Sequence, residues 1–186
     1  MSIKANLKQI KQRIESSAKM VGRNPESIKL VVAGKYADAQ RLKEAIVAGV
    51  KIIGENRAQD LRDKHKILGD KVEWHFIGHL QTNKIKYVAP IATLIHSVDS
   101  EKLALELEKY LTKINKTMPV LIEVNTSGEI NKTGANTNDL DTLIAKVKNL
   151  PHLQLMGLMT MGAEVDDPEK NRQYFHKLKT LADKYK

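Results

Sequence analysis

The side chain best suited to covalent chemistry is Lys35. It closes the apolar run Leu30-Val31-Val32-Ala33-Gly34-Lys35, and helix-forming sequence begins near Asp38. An amine at the carboxyl end of a strand, beside small residues, stands where α/β proteins bring groups to a ligand, and a lysine there can condense with a carbonyl compound. A solvated lysine has the same appearance in sequence, so this segment alone leaves both readings open. The ends of the later apolar runs add Glu55 and Asn56, His75 and His79, His96 and Ser97, Asn125 and Ser127, then Met159 and Thr160. These side chains converge on one rim, the rim at which parallel β/α proteins bind ligands. If strand alternation continues to residue 35, Val31, Ala33 and Lys35 point the same way and the ammonium reaches inward over the mouth. Partial desolvation there would lower its pKa and favour the neutral, nucleophilic amine.

Other chemistries find less support. His75, in Glu73-Trp74-His75-Phe76, reads as a hydrogen-bonded core histidine, whereas His79 follows Gly78 at the strand end and can line the site. No His-Glu-x-x-His motif or carboxylate cluster with ligand spacing occurs, so no metal is expected. Gly128, Gly134 and Gly157 form no dinucleotide fingerprint. A serine triad has no support, and the absence of cysteine excludes thiol catalysis, disulfides and thiolate metal sites.

The elements that must position this rim follow from hydrophobic patterning. Apolar β-like runs begin near Leu30, Lys51, Glu73, Thr93, Pro119 and Leu153, each followed by a helical segment. The first five are spaced by about 20 to 26 residues, as βα units are. Ahead of them, Ile3, Leu7, Ile10 and Ile14 mark one face of a helix that ends between Gly22 and Pro25 and packs outside the sheet. Asp38 is placed to cap a helix ending at Gly49. A second runs from about Glu55 to Leu68 before Gly69; Asp99-Ser100 opens a third, and Asp167-Pro168-Glu169 starts the last.

Composition sets the outer limits. The 186 residues, 41% hydrophobic and 28% charged, suffice for one core and one soluble domain. No run approaches the roughly 20 apolar residues of a membrane span, and the amino terminus has no signal-peptide pattern. A cytoplasmic protein without membrane association is expected. The net charge of +9 is nearly all lysine, much of it beside glutamate on amphipathic stretches, and the arginines cluster into no patch; nucleic acid is not an expected partner.

Val32-Ala33-Gly34-Lys35, Gly54-Glu55-Asn56, the segment Trp74 to Lys84, Ile95 to Ser100, Val120 to Ser127 and Gly157-Leu158-Met159-Thr160 together resemble the pyridoxal phosphate homeostasis protein family, in order, from about residue 3 to 186. The resemblance implies a TIM-type (β/α) barrel like the alanine racemase N-terminal domain. It implies pyridoxal 5′-phosphate held as a Schiff base on Lys35, with Asn56 beside the cofactor and His79 and Met159 lining the pocket. It further implies a monomeric carrier or buffer of the cofactor, with no catalytic residue, that could supply apo-enzymes dependent on it. Two alternatives from other classes are a Schiff-base aldolase or racemase-like enzyme on a β/α barrel and a basic RNA-binding module.

Two departures from that family pattern carry expectations of their own. Gly34 and Tyr36 replace the serine and threonine that usually flank the lysine, which alters its turn. Six βα units are expected where a complete barrel has eight, without the family's final phosphate-cup segment. Open edges on the first and last strands and weak cofactor retention by these 186 residues would follow.

Overall fold

A computed structural model describes residues 2–129 and 132–185. Six parallel strands follow one another across a single sheet in sequence order: β1 (Val31–Ala33), β2 (Ile52–Glu55), β3 (Glu73–Phe76), β4 (Leu94–Val98), β5 (Met118–Glu123) and β6 (Leu153–Met159). Helical crossovers separate them: α2 (Ala39–Val47), α3 (Ala58–Leu68), the short α4 (Ile85–Val88), α5 (Glu101–Ile114) and α6 (Leu140–Lys148). Helix α1 (Ile3–Met20) precedes the sheet and α7 (Arg172–Lys184) follows it. Sequential parallel order with helical crossovers is the architecture of a TIM-type (β/α) barrel, as expected.

Local chemistry explains the boundaries. Asp38 accepts the Arg41 amide at 2.8 Å and Ser100 accepts that of Leu103, so both expected caps form. Helix α3 begins at Ala58 because Glu55 is still in β2, three residues later than the sequence reading placed it. It stops at Gly69, whose φ of 62° lies in the region glycine enters freely. The sequence reading did not resolve α4. Its end is held by Lys116, whose ammonium donates to the carbonyls of Ala89, Pro90 and Ala92 at 2.8, 3.2 and 3.0 Å. Carbonyls freed at a helix terminus need such partners.

Between sheet and helices lies the main core: Ile53, Ile95, Val120 and Ile122 from the strands meet Leu61, Val88, Leu107, Leu111 and Val147, all fully buried. Trp74 is 1% exposed, and its indole N–H donates to the Gly69 carbonyl at 2.9 Å with His65 edge-on. Central strands are buried on both faces, which is why they read as continuous apolar runs. The outer strands differ. Among the described residues β1 pairs with β2 alone and β6 with β5 alone, and Met156 on β6 is 57% exposed. The α1 stripe is buried unevenly: Leu7 is covered, while Ile10 is 42% exposed.

Candidate functional site

Lys35 lies beyond its strand. β1 ends at Ala33; the Gly34 N–H still donates to the Gly54 carbonyl at 2.8 Å, and the Ala37 N–H closes a turn onto the Gly34 carbonyl at 3.0 Å. Lys35 and Tyr36 are the two central residues of that turn, and Tyr36 has a φ of 68°, a conformation that normally selects glycine or asparagine at this position. The expectation that strand alternation turns Lys35 into a half-buried mouth is therefore corrected. The turn carries its side chain out to an exposed position, with the ammonium 5.5 Å from the centre of the exposed Tyr36 ring.

Lys35 nevertheless borders a cavity. A space of about 440 Å³ is lined by Lys35 after β1, by Glu123, Val124 and Asn125 at the end of β5, by Lys132 and Thr133, and by residues 161–164 after β6. That volume falls within the about 300–1,000 Å³ usual for small-molecule sites. Sharing one cavity between the ends of the first and last strands means the sheet curls toward itself, which brings distant segments to one rim.

Two buried carboxylates stand at strand ends on this rim. Glu123 accepts the Thr133 hydroxyl at 2.7 Å. Burial pushes its pKa up, opposed by that hydrogen bond; the charge of Asp99 adds to the rise and that of His79 opposes it. Glu55, fully buried, accepts from Lys64 at 2.8 Å, and burial likewise pushes its pKa up against the pull of the ammonium. The segment after β5 folds back through a short bridge between Val124 and Ala135, with Asn125 donating to the Ala135 carbonyl at 3.0 Å and Ala135 to that of Glu123 at 2.7 Å. This fold-back delivers Lys132 and Thr133 to the cavity. Lys132 also contacts Glu129 at 2.8 Å and the Gly162 carbonyl at 3.3 Å.

The other expected site residues occupy the same rim without lining the Lys35 cavity. Asn56 follows β2, exposed, with its backbone packed so closely against Gly78 that a Cβ there would meet the Asn56 carbonyl oxygen at 2.3 Å. His79 pairs with Asp99 at 3.1 Å. Met159 ends β6 beside Glu123, its carbonyl accepting the Val124 N–H at 2.8 Å. His75 is a core residue, 4% exposed, and shares a 2.9 Å hydrogen bond with His96; burial, first of all, lowers both pKa values to about 4. Sequence reasoning missed Glu123, hidden inside the apolar run Val-Leu-Ile-Glu-Val, and also Lys132 and Thr133. The only available signal was the polar segment after β5, too long for an ordinary βα loop.

The lining gathers a lysine that can form a covalent bond with a carbonyl compound, a second lysine, the polar side chains of Asn125 and Thr133, and the carboxylates of Glu123 and Glu164 around one space of ligand size. Among the described residues no three histidine, aspartate or glutamate side chains gather as a metal site, and no helix is long and apolar enough to cross a membrane.

The family description "Alanine racemase, N-terminal domain" matches residues 2–186. A pyridoxal phosphate homeostasis protein from Aquifex aeolicus is 40% identical over 178 residues, covering 95% of this chain and 78% of that protein. One from Vibrio alginolyticus is 36% identical over 185 residues, covering 97% of this chain and 79% of that protein. Among solved structures, an unknown protein from Bifidobacterium adolescentis superposes with a TM-score of 0.90 at 34% identity, covering 96% of this chain and 76% of its own. PipY of Synechococcus elongatus, solved with PLP bound, gives 0.79 at 27% identity over 92% of this chain and 80% of its own. With its parallel sheet in sequential order and a lysine in the turn after its first strand, the chain belongs to the alanine racemase N-terminal domain family, beside the pyridoxal phosphate homeostasis proteins.

Proposed function

We propose that this chain binds pyridoxal 5′-phosphate through Lys35 and serves vitamin B6 homeostasis in the cytoplasm as a carrier rather than a catalyst. The observation that supports this most directly is that Lys35 lines a ligand-sized cavity at the carboxyl-end rim. The cofactor supplies an aldehyde carbon to which an amine adds with loss of water. Exposure of Lys35 lets that amine be reached from solvent, as loading and release both require. Lys132, held beside Glu129 at 2.8 Å, supplies positive charge to the same lining, and Asn125 and Thr133 supply polar groups. Asn56, His79 and Met159 stand on the same rim, at or just beyond the ends of β2, β3 and β6, outside the lining of this cavity. The relatives' shared name supports a homeostatic role over turnover. On this reading the chain acts as a single domain and a monomer, and delivers its ligand to apo-enzymes that depend on it.

Incubation with pyridoxal 5′-phosphate, reduction with borohydride and peptide mass mapping test the proposal. The expected result is modification concentrated on Lys35 and abolished there by Lys35→Ala. Modification scattered over surface lysines, or unchanged yellow colour in the Lys35→Ala chain, refutes it.

A further inference from the structure

Lys64 belongs to α3, nine residues beyond Glu55, yet its ammonium reaches back to two strand ends at once. It donates to Glu55 Oε1 at 2.8 Å and to the Gly34 carbonyl at 3.0 Å, and its side chain is only 14% exposed. The second contact is the telling one. Gly34 immediately precedes Lys35, and its carbonyl is the acceptor that closes the Lys35 turn through the Ala37 N–H. One oxygen therefore joins the turn to a buried ion pair on the neighbouring βα unit.

The absence of a side chain at residue 34 belongs to the same arrangement. A Cβ there would lie 2.1 Å from Glu55 Oε1 and 3.0 Å from Glu55 Cδ. The carboxylate oxygen that holds Lys64 thus fills the space a larger residue would need. Tyr36, two residues on, sits at positive φ, so the turn does not rest in a conformation its own sequence prefers. Something outside the turn must hold it, and the ammonium on the Gly34 carbonyl is the charged group placed to do so.

We propose that Lys64 is a positioning residue for Lys35, acting through the Gly34 carbonyl to fix the turn that sets Lys35 at the edge of the cavity. The inference rests on the reading of Lys35 as the attachment point and assigns Glu55 the task of holding the clamp in place. Contact with the ligand is no part of the Lys64 role.

Chains of the same 186 residues carrying Lys64→Met, and Glu55→Gln/Lys64→Met to remove the carboxylate left unpaired, are compared with the native chain under conditions where circular dichroism shows all three folded. Two readouts separate positioning from general stability. The first is the rate of borohydride-trapped pyridoxal 5′-phosphate adduct at Lys35 relative to other lysines; both variants should lose about tenfold in that ratio, the scale of one charge-assisted hydrogen bond. The second is amide exchange at Ala37, which should accelerate about as much while amides of β4 and β5 keep their rates. Native Lys35 selectivity in both variants overturns the proposal, as does unchanged Ala37 exchange. A native chain with no Lys35 adduct refutes the functional reading and with it the clamp's chemical role, and Ala37 exchange then still decides whether Lys64 holds the turn.

Discussion

The ends of β2 and β5 each bury a glutamate, but surround it differently. Glu55 meets an ammonium, and the Gly34 backbone packs against it; Glu123 meets a hydroxyl and faces the cavity. Burial raises both pKa values, so neither carboxylate is held for its charge alone. The difference lies in what each could lose. Removing the partner of Glu55 strands a buried charge and frees a turn, whereas removing the partner of Glu123 leaves a group beside a space that ligand or solvent can enter.

The strongest way to break this contrast is Lys64→Met. Loss of one member of a buried pair destabilises by about 3 kcal/mol, toward the lower end because the lysine is partly exposed, and urea unfolding should show it. A loss no greater than that of Thr133→Val would erase the distinction.

Acid unfolding sharpens the comparison once a background is removed. His75 and His96 have folded-state pKa values of about 4, below the unfolded value of 6.5, so the stability they contribute is full above 6.5 and is lost as pH falls toward 4. His75→Gln/His96→Gln should flatten that loss in urea midpoints measured across the window. The glutamates have the opposite sign. Their folded pKa values are raised, so their contribution is present below the unfolded value of 4.5 and is lost as pH rises through the folded values. In the histidine-free background, Glu123→Gln should remove part of the remaining slope.

Gly34→Ala ranks next. Its methyl group meets the Glu55 carboxylate, and overpacking of this kind costs about 2 kcal/mol, visible as a lowered Tm. Thr133→Val comes last at about 1 kcal/mol, the worth of one hydrogen bond whose acceptor can be reached from the cavity. Thermal unfolding of that variant beside Gly34→Ala checks the order.

The sequence announced where all six strands begin to within one residue, because continuous apolar runs between amphipathic segments have few other uses, while the ends of β1 and β5 fall two residues or more before the sequence places them. It also brought Lys35, Asn56, His79 and Met159 to one rim. What it concealed depends on the turn and on fold-back. Nothing in Gly34-Lys35-Tyr36 signals that a tyrosine accepts positive φ, so alternation was carried two residues too far. Lys64 looked like any solvated helix lysine, since its reach to Gly34 exists only once β1 and β2 pair. Lys132 and Thr133 enter the cavity because Val124 bridges to Ala135, a pairing that neither propensity nor spacing marks.

The chain's single tryptophan gives one more consequence. Trp74 is sealed under α3, its ring nitrogen tied to Gly69, away from the wall that Lys35 borders. Its emission should be blue and shielded from acrylamide until the whole βα framework opens. Optical unfolding curves will therefore report the scaffold, and in the proposed complex with pyridoxal 5′-phosphate absorbance near the visible edge would report the ligand, as two separable signals from one sample.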